Sequence, residues 1–136
     1  MQTFVRAIAA GLCLLVSACL TPTSLEDRPF NVGLSREFEA DVDHTSIAAI
    51  AALRAQSLPV KTQRSADNAR VIRFERRTDD QGWGEIGRLI VAPVDVDTTR
   101  VTVAYQNRFR PQRTRLTEAE FAAAYFGDLE TALARQ

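Results

Sequence analysis

Residues 86–107 read IGRLIVAPVDVDTTRVTVAYQN, two apolar segments joined by a short polar connection. Ile86 through Ala92 is a strand candidate. Arg100 to Asn107 alternates Val101, Val103 and Tyr105 against Thr102, Ala104 and Gln106. Alternation with period two is the side-chain repeat of a strand. Pro93 to Thr98 is a connection. Upstream, the turn Thr78 to Gly84 separates Ile86 from Val71 to Arg77, where Ile72 and Phe74 face together. The polar loop Ser65 to Ala69 precedes it, and before that a strand carries Val60 and Thr62 on one side.

Further upstream, Leu34 to Val42 places Leu34, Phe38, Ala40 and Val42 on one side and Glu37, Glu39 and Asp41 on the other, with Arg36 interrupting the apolar side. This reads as a half-buried antiparallel strand. Asp43 offers an N-cap for a helix reaching Gln56, with Ile47, Ile50, Ala51 and Leu53 on a face beside Ala48, Ala49, Ala52 and Ala55. Leu58-Pro59-Val60 ends it, because proline disfavours helix in the residue before it. At the other end of the chain, Thr117-Glu118-Ala119-Glu120 has capping-box form, and Phe121, Tyr125, Leu129 and Leu133 recur every four residues, widened by Phe126. Gly127 inside that helix marks a kink or close packing.

The order β-α-β-β-β-β-α predicts an α+β two-layer sandwich. An antiparallel sheet of about five strands carries two helices on one face and leaves the other to water or a partner. The pattern over roughly residues 34 to 135 resembles the small helix-grip-like domains of bacterial lipoproteins, including those of component C of the outer-membrane β-barrel assembly machine. It departs from that resemblance after the first helix, where a glycine is expected and Gln56-Ser57-Leu58-Pro59 stands.

Length and composition fit one domain: 136 residues, 46% hydrophobic, with 17 basic and 17 acidic side chains. Zero net charge argues against a nucleic-acid binder. Two cysteines and one histidine support neither a disulfide scaffold nor a dedicated zinc site. Residues 1–20 read MQTFVRAIAAGLCLLVSACL, a positively charged start followed by an uncharged run from Ala7 to Val16. That is a secretory signal pattern, and the run is too short to cross a bilayer, which takes about twenty residues.

The run closes in Val16-Ser17-Ala18-Cys19, which resembles the lipobox of bacterial lipoproteins. The resemblance implies a diacylglyceryl group on the Cys19 thiol and cleavage between Ala18 and Cys19. It divides the chain into a signal peptide, 1–18, a lipidated tether, 19–33, and a domain, 34–136. Leu20, where inner-membrane retention in enteric bacteria uses aspartate, points to the outer membrane facing the periplasm. Two prolines and no periodicity make Leu20 to Gly33 a linker. Cys13 leaves with the signal peptide.

Catalytic chemistry finds little purchase. Nucleophilic catalysis needs a nucleophile, a base and an orienter, and the one histidine, His44, stands at a helix start as a solvated cap. Asp79-Asp80 and Asp95-x-Asp97 lack the spacing of a calcium loop and read as turn residues bonded to their own backbone. Gly82-Trp83-Gly84 lacks the lysine of a phosphate loop. Trp83 in that turn either anchors a partner or folds over its own core.

The charge is unevenly distributed. Glu26 to Asp43 holds six acids and two arginines, whereas residues 100–115 hold Arg100, Arg108, Arg110, Arg113 and Arg115 and no acid. Arginine forks suit phosphate and carboxylate. These five either form a patch for anionic lipid, lipopolysaccharide or an acidic protein, or neutralise the acidic first strand or helix from within. The expectation is a non-enzymatic, lipid-anchored envelope protein that binds a protein partner and needs no cofactor or metal. A binding module for anionic lipid is the alternative, and an envelope hydrolase using His44 or a carboxylate is the last.

Overall fold

The architecture follows from two periodicities, apolar residues every second position in the strands and every third or fourth in the helices. A computed structural model describes Leu25 and residues 28–77, 84–108 and 116–136. In chain order these form β1 (Leu34–Phe38), α1 (Val42–Ala55), β2 (Val60–Ala66), β3 (Ala69–Arg76), β4 (Glu85–Pro93), β5 (Thr99–Asn107) and α2 (Glu118–Leu133). The sheet is antiparallel throughout, in the spatial order β1-β5-β4-β3-β2. This is the α+β sandwich expected from the pattern, with both helices on one face.

Between helices and sheet lies an aromatic core. Phe121 of α2 stacks on Tyr105 with centroids 4.1 Å apart and on Phe74 at 5.7 Å, and Tyr125 continues the row at 6.0 Å. Stacked rings contribute beyond the area they bury, by about 0.5–1.5 kcal/mol per pair. Tyr125 is fully buried, its hydroxyl donating to the carbonyl of Ala49 at 3.1 Å, and burial pushes its phenol pKa well up.

Helix boundaries follow their caps. Thr117 and Glu120 form the capping box read from the sequence. The first helix, however, begins two residues before the expected point. Asp41, in extended backbone, is its N-cap and accepts from the amides of Asp43 and His44, so β1 stops at Phe38 and Val42 is helical. The buried residues of α1 are Thr45, Ser46, Ala48, Ala49, Ala52 and Leu53, while Ile47 and Ala51 point outward. Small side chains let this helix approach α2 and the sheet closely, and the larger Ile47 is turned away.

After α1, Ser57 adopts φ 57°, the left-handed position where the resemblance expects glycine. Ser57 donates to the carbonyl of Arg54 and Leu58 to that of Leu53, the paired bonds of a Schellman stop, with Leu58 buried behind it. Asp67 and Asn68, both at positive φ, make the two-residue β2–β3 turn. Gly127 does not mark close packing, because a β-carbon there would meet nothing within 4 Å.

Candidate functional site

The sheet has a second face, and its composition is unlike the first. In β4, the residues pointing away from the helices are Ile86, Arg88, Ile90 and Ala92, and in β5 they are Arg100, Thr102, Ala104 and Gln106. Arg88 stands at the centre and is 1% exposed. What covers it is the chain's own N-terminal segment. Its guanidinium donates to the carbonyls of Leu25 at 2.7 Å, Arg28 at 2.6 Å and Pro29 at 2.9 Å, and it lies 5.9 Å from the centre of the Phe30 ring.

Leu25 and Arg28 to Gly33 thus form a strap, although sequence reasoning places them in a free tether. The physical reason is twofold. Leu25 is buried against Ile86 and Ala104, and Phe30 packs beside Ala69, Val71 and Ile90, so the strap removes apolar area from water at both ends. Between those contacts, a planar guanidinium with five donors satisfies three backbone carbonyls that would otherwise lose their water. Burial and the nearby charges of Arg28 and Arg64 pull the Arg88 pKa below the usual arginine value.

Gly33 joins the strap to β1. A β-carbon there would lie 2.3 Å from the Val103 carbonyl oxygen, and its φ of +129° suits only glycine.

Around the strap, charges pair across strands. Arg100 and Glu37 are register partners in β5 and β1, bonded at 2.7 Å. At the other end of β5, Arg108 donates to Glu75 at 2.9 Å, and Lys61 reaches the second oxygen of the same carboxylate at 3.3 Å. Burial raises the pKa of Glu75, but the Lys61 hydrogen bond and the charges of Arg108, Lys61 and Arg73 outweigh it and hold the carboxyl below its usual value.

These placements bear directly on the arginine segment. Arg100 in β5 and Arg108, the residue after its end, sit eight residues apart, roughly 27 Å at 3.4 Å per residue, so they do not share a patch. Each meets an acid of its own domain, Arg100 in the first strand. Arg110, Arg113, Arg115, Trp83 and Cys19 lie outside the described residues.

A depression of about 440 Å³ borders the strap, floored by Ala69, Ile90 and Ala92 and edged by Phe30, Arg100 and Thr102. Thr102 is hydrogen-bonded to Ser35 at 2.8 Å. Another, of about 450 Å³, runs between the outer sides of the helices beside Ala51, Ala55, Thr131 and Arg135. His44 is exposed and paired with the cap carboxylate of Asp41, and Asp95 accepts from the amide of Asp97, so both serve local backbone and cap geometry. Among the described residues no group of three metal-binding side chains converges, and no helix is long and apolar enough to cross a membrane.

Sequence reasoning missed Arg88 and Leu25. The signal for the first was present, a lone arginine between Gly87 and Leu89 inside an apolar strand, since an arginine at such a position must be paired or hydrogen-bonded. The fold and this face define a class, a two-layer α+β sandwich whose second sheet face is strapped by its own N-terminal segment. The chain matches no protein-family model and no curated protein.

Proposed function

We propose that this protein is a lipid-anchored component of the bacterial cell envelope, attached through Cys19 and acting as a non-enzymatic protein-interaction module on the periplasmic side of the outer membrane. The observation that carries the reading is the sequence Val16-Ser17-Ala18-Cys19 closing a short apolar run, six residues before Leu25 enters the folded domain. Two acyl chains on the thiol bury dozens of methylenes at roughly 0.8 kcal/mol each, which makes the attachment stable. The strap supports the reading because it fastens the domain to the segment that leaves Cys19.

The test is the mass of the amino-terminal peptide from the protein made in a bacterial host. A diacylated Cys19 at the amino terminus is expected, lost in Cys19→Ser together with membrane association. An amino terminus elsewhere, or lipid retained by Cys19→Ser, overturns the proposal. For the interaction module, cross-linking in intact cells should recover a reproducible envelope partner, and recovery of none removes that half of the reading.

A further inference from the structure

We infer that the domain stands end-on over the membrane that holds Cys19, with the β2–start, β3–end, β4–start and β5–end of the sheet against the lipid headgroups and the opposite turns directed away. This deepens the proposed function and rests on lipid attachment at Cys19.

Three observations converge on it. The first is where the chain enters. Leu25 packs on Ile86 and Ala104, close to the start of β4 and the end of β5, and the strap then passes Arg88 towards Phe30, which packs with Ile90 further along the sheet. The strap therefore runs from one end of the sheet towards the other, and its first residue marks the end nearest the anchor.

The second is length. Only residues 20–24 separate Cys19 from Leu25. Six residue steps at no more than about 3.6 Å each reach roughly 20 Å. Leu25 sits on Ile86 and Ala104, seven residues from the far end of β4 and five from that of β5, roughly 17–24 Å at 3.4 Å per residue. The anchored end can rest on the headgroups with slack in the tether, whereas turning the far end down onto them would stretch residues 20–24 to near their full reach.

The third is charge. The far end gathers the β1–α1 connection, the β2–β3 turn and the β4–β5 turn, which bring Glu39, Asp41, Asp43, Asp67, Asp95 and Asp97 to one side of the molecule. Arg70 answers Asp43, His44 pairs with Asp41, and Arg100 with its partner Glu37 stands towards the same end, leaving the balance acidic. The anchored end instead balances Lys61, Arg76, Arg77 and Arg108 against Glu75, Glu85, Glu118 and Glu120, with Leu116 exposed among them. An anionic surface repels the first end and tolerates the second. At physiological salt its field decays over about 8 Å, so acids roughly 30 Å away feel little of it.

The experiment uses the lipidated protein reconstituted in vesicles of phosphatidylethanolamine and phosphatidylglycerol. Acylation blocks the Cys19 thiol, so Leu116→Cys, Val96→Cys and Arg64→Cys each carry a single fluorophore, at the anchored end, the far end and the second sheet face. A headgroup-level nitroxide lipid should remove most of the Leu116→Cys signal and leave Val96→Cys unchanged, with Arg64→Cys between them. Equal quenching at Leu116→Cys and Val96→Cys, or strongest quenching at Arg64→Cys from a domain lying on its face, overturns the inference. Protein that fails to sediment with vesicles and keeps a free Cys19 thiol instead overturns the anchoring reading, so the two failures are distinct. Adding Arg88→Met, which frees the strap, should bring the Leu116→Cys and Val96→Cys signals together. A difference that survives a released strap also counts against the inference.

Discussion

Gly87 faces the helices between its register partners, Phe74 on β3 and Tyr105 on β5. A β-carbon at this position would lie 2.1 Å from Cζ of Phe74 and 2.5 and 2.6 Å from the two Cε atoms. Ordinary contact begins at 3.4 Å, so the ring would have to withdraw by about 1.3 Å. It has nowhere to go, because Phe74 is fully buried and Phe121 stands behind it, itself stacked on Tyr105. Forcing extra volume into a packed core costs typically about 1–3 kcal/mol, and with three rings displaced Gly87→Ala belongs at about 3 kcal/mol.

Urea and thermal unfolding of residues 20–136 measures it. At about 4 °C per kcal/mol for a domain of this size, the midpoint should fall by roughly 12 °C. The decisive comparison is a cycle with Phe74→Leu, which shortens the obstructing side chain. In that background Gly87→Ala should cost less than about 1 kcal/mol, a coupling near 2 kcal/mol between the two sites. Equal costs in the two backgrounds would refute the argument that the ring is what excludes a side chain at Gly87.

The strap gives a second expectation: Arg88→Met keeps an apolar stem but removes three charge-assisted hydrogen bonds, so stability should fall by about 3–5 kcal/mol and the Val32 amide, bonded to Pro29 at 3.1 Å, should exchange with solvent as in a free peptide. Retained protection at Val32 would show that Leu25 and Phe30 hold the strap without the guanidinium. In α2, Gly127→Ala fills open space in a helix and should stabilise the domain by up to about 1 kcal/mol in the same unfolding experiment; a loss of stability would reveal a contact at that face.

Acid sensitivity follows from Glu75. Its carboxyl is held below the usual 4.5 when folded, so the stability it contributes is complete above that value and disappears as pH falls through the lower folded value. Glu75→Gln should therefore lose stability at pH 7 and show a flatter decline between pH 5 and 2 than the unaltered chain. An identical slope in both proteins contradicts the pairing with Lys61 and Arg108.

Much of the fold was legible because local signals agreed. The alternation in Arg100 to Asn107, the capping box at Thr117 and the four-residue recurrence from Phe121 to Leu129 each specify an element within a few residues, and each stands where it was read. The first helix shows where such reading slips. Asp41 and Asp43 are equally good caps by residue type, and only the path of the chain leaving β1 selects Asp41. The buried side of α1 slipped for a related reason, since apolar size favours Ile47 whereas close packing selects the alanines. Ser57 shows the converse, a left-handed turn formed where no glycine announces it.

The candidate site was hardest to read because it is made of long-range pairings. Arg88 and Leu25 are 63 positions apart, and nothing near either one names the other. Neutral overall charge likewise said nothing about where the charges go. Periodicity, caps and the Val16 to Cys19 motif are properties of neighbouring residues, so reading along the chain yields the order of elements and the expectation of an anchored protein. Antiparallel pairing gathers acids from three separate connections at one end of the sheet and sets Arg100 and Arg108 far apart, while Arg88, with Leu25 and Phe30 packed on the sheet, makes a presumed tether a strap. Strand register sets distances between residues remote in the chain, and a single side chain needing three buried carbonyls sets which segment lies across it.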